Sequence, residues 1–172
     1  MFYTILDDLI LYQKLTIKPS KYSNYELILH RYFHEKTKGI DPSYIFLFNI
    51  ESIDFIFFFV KQNDYFQAKT YLNSIRNKIS SKKVLIIRVD NILINLLFNL
   101  FPDLSIHDIH IELNNKRGKY EISICFLKEL NIYHIAVGER GCYIKAVNEF
   151  FDKHINFQNC KVPLTIKCRA TG

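Results

Sequence analysis

The stretch Ile132-Tyr-His-Ile-Ala-Val-Gly138-Glu-Arg-Gly141-Cys-Tyr-Ile-Lys-Ala-Val147 decides the fold that we predict for the second half of the chain. An apolar segment leads into a Gly-x-x-Gly turn, and the residues after Gly141 have helical spacing. Glycine carries no Cβ and tolerates positive φ, so two glycines three apart allow the backbone to turn tightly. The pattern predicts a helix that begins at Cys142 with unpaired N–H groups, and such a helix end favours phosphate.

The segments around this turn predict a defined order of elements. Residues 109–113 and 120–126 alternate apolar and polar side chains, and the turn-forming residues 114–118 join them, which is typical of a β-hairpin. The apolar run 92–101 predicts a preceding helix, and residues 162–168 restore strand alternation. The predicted order is therefore α-β-β-α-GxxG-α-β.

This order resembles the type II KH domain, in which a GxxG loop between two helices clamps about four nucleotides through their backbone. The resemblance covers about residues 90–170, roughly half of the chain. Two families carry such a domain, namely small-subunit ribosomal protein S three and, in their C-terminal domain, the Era-type GTPases. The closing residues 167–172 are similar to the end of the KH half of the ribosomal protein, whereas the spacing from Arg117-Gly118 to Val137-Gly138 is Era-like.

The resemblance implies that the loop holds RNA. We expect contacts from the backbone N–H groups around Gly138 and Gly141, from Arg140 to phosphate, and from Lys145 one turn into the helix. Glu139 departs from the resembling families, where the middle loop positions commonly hold a basic residue, so the loop's own charge sums to zero. Either Glu139 points away while Arg140 engages, or the contacts lie elsewhere and include protein neighbours. Because the loop is expected to be exposed, Asp at both glycines is expected to abolish RNA contact and to spare the fold.

A second basic patch lies on the predicted hairpin turn. It consists of Lys116, Arg117 and Lys119. Two interpretations fit these residues equally, a phosphate-binding patch and a solvated turn.

The first half of the chain predicts an α+β extension, residues 1–89, ahead of a type II KH-like RNA-binding domain, residues 90–172. A capping-box pattern begins at Ser23 with Glu26 three residues later. No linker rich in Gly, Pro or Ser separates the two parts. The predicted elements are helices 2–14, 24–37 and 63–79 and strands 44–50, 54–60 and 84–89.

A GTPase is nearly excluded by the glycine content of this half. A phosphate-binding loop of that class needs several glycines with Lys and Ser or Thr. Residues 1–103 contain one glycine, Gly39, and no base-recognition Asn-Lys-x-Asp pattern.

Composition favours an anionic partner and an AT-rich genome. The 172 residues carry a formal net charge of +6, spread over both halves, and the pI is about 9.1. Ile, Lys, Asn, Phe and Tyr, which have A/T-rich codons, abound. We therefore interpret the 15% aromatic content as compositional drift rather than a platform for stacking bases.

Other chemistry finds little support in the sequence. The four cysteines form no CxxC pair and the six histidines are scattered, so we expect free thiols, structural histidines and no metal. No recognisable set of acid, base and nucleophile occurs, so we expect no enzyme, no cofactor and no small-molecule substrate. No apolar run reaches the roughly 20 residues of a membrane helix, so no membrane partner is expected.

Three functional hypotheses follow. The first is a structural, rRNA-binding component of the small subunit of an organellar ribosome, S-three-like, with rRNA and neighbouring ribosomal proteins as partners. Its expected location is the mitochondrial matrix, organelle-encoded, ahead of plastid or cytoplasm. The second is an Era-derived ribosome assembly factor without GTPase activity, and the third is a protein-binding module that uses a KH fold.

Overall fold

A computed structural model describes residues 10–19, 21–114, 118–158 and 164–172. The fold is α+β, as the sequence predicts. The chain divides into two compact units: the early unit, residues 19–90, and the late unit, residues 91–172 together with 1–18. Most of the predicted helix 2–14, together with Lys116 and Arg117, lies outside the described residues.

Short helices and strands make up most of the described chain. In chain order they are β1 (Leu15–Ile17), α1 (Asn24–Lys36), β2 (Tyr44–Ile50), β3 (Ile53–Val60), α2 (Tyr65–Lys69), α3 (Leu72–Lys78), β4 (Lys83–Arg88), α4 (Leu93–Asn99), β5 (Asp108–Asn114), β6 (Lys119–Leu127), α5 (Tyr133–Val137), α6 (Cys142–His154), β7 (Ile155–Phe157) and β8 (Leu164–Thr171). Short 3-10 turns span Gln62–Asp64, Lys128–Leu130 and Glu139–Gly141.

The early unit is built on the sheet β2-β3-β4. Strands β2 and β3 are antiparallel and are joined by a two-residue turn, Glu51 and Ser52, both with positive φ, as in the hairpin turns that match strand twist. Strand β4 runs parallel to β3. The central strand β3 is buried along its last six residues, and Phe58 stacks on Phe33 of α1 with ring centroids 4.6 Å apart. The apolar side chains of β3 therefore anchor this unit.

The single helix predicted over 63–79 is wrong in detail. The structure instead has a 3-10 turn followed by α2 and α3. The backbone N–H groups of Thr70 and Tyr71 donate to carbonyls three residues back, and the Thr70 hydroxyl donates to the Gln67 carbonyl at 2.7 Å. Because a hydroxyl bond of this kind competes with the helical ladder, the helix ends there and a new one begins at Leu72.

The late unit has the sheet β5-β6-β8. Strands β5 and β6 form the predicted hairpin, and β8 runs parallel to β6. Short β7 pairs antiparallel with β1, a pairing that the sequence pattern did not indicate. Helices α4, α5 and α6 occur at the predicted places, and the Phe101 ring after α4 meets Phe126 of β6 edge-on at 5.9 Å.

The two units share one architecture. Each contains a helix, two antiparallel strands, two helices and a last strand that is parallel to the second strand, and each sheet has the same strand order. They differ where the two helices meet. Two residues separate α2 from α3, whereas four separate α5 from α6.

Asn148 of α6 covers the outer edge of β8. Its Oδ1 accepts a hydrogen bond from the Ile166 N–H at 2.8 Å, and its Nδ2 donates to the Ile166 carbonyl at 2.9 Å. The same Nδ2 donates to the Ile144 carbonyl within the helix at 2.9 Å. The Asn148 side-chain amide thus pairs with the backbone N–H and carbonyl of Ile166 at this edge, as the backbone of a neighbouring strand would.

We expect Asn148→Asp to lower the free energy of unfolding by about 1–3 kcal/mol, because a carboxylate still accepts from the Ile166 N–H but cannot donate to its carbonyl. Urea unfolding measures the loss. Asn77→Asp, on an exposed position of α3, is the matched control and should stay within about 0.5 kcal/mol of the parent. Equal stability of the two variants would contradict this role of Asn148.

Candidate functional site

The Gly-x-x-Gly turn joins α5 to α6 in the structure. Gly138 has φ 78° and ψ 175°, a region essentially limited to glycine, and Gly141 has φ 70°. Arg140 between them is also left-handed, with φ 53°. The Gly141 N–H donates to the Gly138 carbonyl at 3.0 Å, which closes the turn. The predicted loop is therefore present and tightly wound.

Gly138 also allows a close approach of two backbone segments. A Cβ built on Gly138 would lie 2.7 Å from the Tyr143 Cβ and 3.0 Å from the Tyr143 nitrogen. A Cβ on Gly141 would meet no atom within 4 Å. Gly138 is half-buried against Tyr143, so the expectation that Asp at both glycines spares the fold is wrong for Gly138. A mutational test of RNA binding at the loop therefore needs residues other than this glycine.

Tyr143 fixes the first turn of α6 on the core. Its hydroxyl donates to the Leu100 carbonyl, and its ring meets Phe101 edge-on at 5.8 Å. Burial raises the pKa of Tyr143 well above its ordinary value, so the group stays a neutral phenol. The sequence showed Tyr143 only as part of an apolar pattern, and nothing in that pattern marked it as the anchor of the loop.

The start of α6 carries the positive end of the helix dipole. Its N-cap is Gly141, which has no side chain with which to cap this 13-residue helix, and the Cys142 N–H donates to the Glu139 carbonyl. The first N–H groups of a helix lack intrahelical partners and carry partial positive charge. The end of α6 that follows the loop is therefore suited to an anion.

The charged residues predicted for the site fall into two places. Glu139 and Arg140 are exposed in the loop, and Lys145 is exposed on the next turn of α6. Lys119 is exposed and is the first residue of β6. Leu127, the last residue of β6, leads towards the loop and lies about 27 Å from Lys119 along the strand. The structure therefore places Lys145 next to the loop and Lys119 on a separate part of the late unit.

The described cysteines of the late unit lack the lowered pKa of reactive thiols where a shift is seen. Cys125, Cys142 and Cys168 form no disulfide. Burial raises the pKa of Cys125, and it raises the pKa of Cys168 to about 12, so both stay thiols at neutral pH. Cys160 lies outside the described residues.

Metal-ligating clusters and membrane-spanning helices are both missing from the described part of the chain. Within residues 10–19, 21–114, 118–158 and 164–172, no group of three or more His, Cys, Asp and Glu side chains could hold a metal ion. The same ranges contain no helix with the length and apolar character needed to cross a bilayer.

Comparison with known proteins gives a likeness in structure but none in sequence family. No protein-family model and no curated protein matches the chain. The chain is similar to a solved structure titled "Crystal structure of APE1850", with a TM-score of 0.56 and 18% sequence identity over 86% of this chain and 100% of that one. At this identity the likeness shows a shared fold alone. Neither unit makes up 86% of the chain, so the shared fold includes residues of both.

The two glycines of the loop should respond differently to Ala. Gly138→Ala meets the backbone of Tyr143 and forces a strained φ, so we expect a loss of more than about 3 kcal/mol in the free energy of unfolding. Gly141→Ala keeps open space around its new methyl group and should cost only about 1–2 kcal/mol for the left-handed φ. Urea unfolding compares the pair, and a larger loss at Gly141 would refute the predicted order.

Proposed function

We propose that the late unit is a type II KH-like domain that binds the backbone of single-stranded RNA through the loop Gly138–Gly141. One observation carries the proposal: a GxxG loop joins two helices in the order α-β-β-α-GxxG-α-β and opens onto an α6 start without a side-chain cap. A loop of this kind lets RNA phosphates approach backbone N–H groups closely. The proposed role is non-catalytic.

The sheet supports this assignment. Parallel strands such as β6 and β8 cannot be joined by a tight hairpin, so the chain between them must cross over. That crossover includes α5, the loop and α6. The loop therefore occupies a position that the topology fixes, and the Tyr143 hydroxyl holds it against the core at Leu100.

The charges around the loop set the expected strength of binding. Arg140 and Lys145 provide two exposed cations, and Glu139 opposes them with one exposed carboxylate. Phosphate neutralisation dominates nonspecific affinity for nucleic acids, so binding at this loop should be modest and should weaken as salt rises. Of the two arrangements left open by the sequence, we propose the one in which Arg140 engages phosphate.

We propose an S-three-like place in the small subunit of an organellar ribosome as the setting, with small-subunit rRNA and neighbouring ribosomal proteins as partners. Its support is the resemblance over about residues 90–170 and the AT-rich residue choice. The early unit lies outside that stretch. Co-sedimentation with mature small subunits in high salt tests the setting. Association with precursor particles alone would favour the Era-derived assembly factor, and nuclease-insensitive binding would favour the protein-binding module.

Replacement of the two cations should weaken RNA binding in a salt-dependent way. For Arg140→Ala and Lys145→Ala, each lost phosphate contact should reduce the slope of log K against log salt by about 1. Glu139→Gln removes the opposing carboxylate and should strengthen binding. Fluorescence anisotropy with a labelled 12-nucleotide single-stranded RNA measures all three.

Lys153→Ala is the matched control. Lys153 is an exposed lysine on the last turn of the same helix and forms an ion pair with Glu149. We expect its variant to bind RNA almost as the parent protein does. Equal losses at Lys145 and Lys153 would mean that the helix contributes only general charge, and no loss at Arg140 would remove the loop from the interface.

A further inference from the structure

One aromatic side chain of the early unit departs from the rest. Most phenylalanines of the described residues are buried in the two units, but Phe66 of α2 is 69% exposed, the highest exposure among the large apolar side chains described. An AT-rich genome, as inferred from the composition, would explain why phenylalanine is frequent. It would not explain why this ring is exposed beside the guanidinium of Arg88.

Phe66 belongs to a compact group of rings and cations, which we call the Phe66 cluster: Tyr65, Phe66, Lys69 and Arg88. The Arg88 guanidinium carbon lies 4.6 Å from the Tyr65 ring centroid and 5.0 Å from that of Phe66. The two rings meet edge to face at 5.4 Å, and the Lys69 ammonium lies 5.9 Å from the Tyr65 ring. Tyr65 is buried, so it supports the cluster while Phe66 presents its ring to solvent.

The chain around the cluster is strongly basic. Residues 61–88, from the end of β3 through β4, carry seven Lys or Arg side chains and one acidic side chain, Asp64. The early unit as a whole carries 11 basic and 7 acidic residues. This excess favours an anionic partner over a neutral apolar one.

The early unit lacks a glycine loop like the one through which we propose that the late unit binds RNA. Its helices α2 and α3 are joined by Thr70 and Tyr71, without a glycine and without a four-residue loop. A backbone clamp on phosphates is therefore not available at this junction. A nucleic-acid contact at this junction must use side chains.

We propose that the Phe66 cluster is a base-stacking site for single-stranded RNA, with one base on the Phe66 ring and the flanking cations near the phosphates. Aromatic rings beside positive charge bind single strands in this way, with little sequence preference. A protein-docking surface would instead need a contiguous apolar patch, and here the exposed ring is bordered by charge. This site goes beyond the loop, because it lies in the other unit and uses another chemistry.

The chain contains no tryptophan, so Phe66→Trp provides a single fluorescent reporter at the site. We expect its emission to be quenched when the full-length protein is titrated with a 12-nucleotide oligouridylate, because a stacked base quenches indole fluorescence. Phe98→Trp is the matched control, since Phe98 is a 46% exposed ring on α4 of the late unit. Its emission should stay unchanged at the same RNA concentrations.

Truncation measures the contribution of the ring. Phe66→Ala should weaken oligouridylate binding by about 5- to 150-fold, the range for loss of one stacked base. Phe66→Leu keeps an apolar side chain without a ring and should lose as much. If Phe66→Leu binds like the parent protein, apolar docking and not stacking explains the exposure, and the proposal fails. Circular dichroism confirms that the variants fold.

The outcomes separate this proposal from the one for the loop. With Phe66→Trp as background, the anisotropy of a labelled 12-nucleotide RNA follows binding to the whole protein, and the indole emission follows binding at the Phe66 cluster alone. Arg140→Ala should lower the affinity measured by anisotropy but leave the quenching at saturation unchanged. RNA binding without quenching would overturn the Phe66 site alone. Quenching together with an anisotropy-measured affinity that Arg140→Ala does not change would overturn the loop alone, and no RNA binding by the parent protein would overturn both.

Discussion

Parallel pairing of neighbouring strands is the constraint on which the rest of this structure depends. A parallel pair cannot close through a tight turn, so the chain must leave the sheet, travel back along it and enter again. This happens twice, between β3 and β4 and between β6 and β8. In both units a pair of helices makes the return, and each pair must reverse direction within a few residues. The junction between the helices is therefore the tightest place in each crossover.

The two units use different residues to reverse the chain direction between the two helices of the crossover. In the late unit, Gly138 permits a backbone approach to Tyr143 that no other residue would allow, and α6 begins at the glycine loop with the positive end of its dipole. In the early unit, 3-10 bonding at Thr70 and Tyr71 ends one helix and starts the next without glycine. Backbone donors suit phosphates, whereas the ring of Phe66 suits bases. One architecture thus supports two proposed kinds of RNA contact.

Much of the fold could be predicted from local sequence pattern. Strand 44–50 lies where a run rich in β-branched and aromatic residues predicted it, α6 begins at Cys142 after the glycine turn, and Ser23 and Glu26 form the predicted capping box. The end of α2 at Lys69 was not predicted, because Thr70-Tyr71 contains neither Gly nor Pro. Only the hydrogen bonds of the structure show that the helix ends there. The shared architecture was missed as well, because parallel pairing joins residues distant in sequence. For the same reason, no pattern showed that Arg88 lies against Phe66.

The most direct test of the proposed RNA-binding role is ultraviolet crosslinking of the protein in its native extract, followed by mass spectrometry of the peptides that carry RNA. We predict adducts within residues 138–145, on small-subunit rRNA in intact particles. Recovery of these residues only in crosslinks to other proteins would contradict the proposed role of the loop. It would mean that the glycine turn serves the crossover alone.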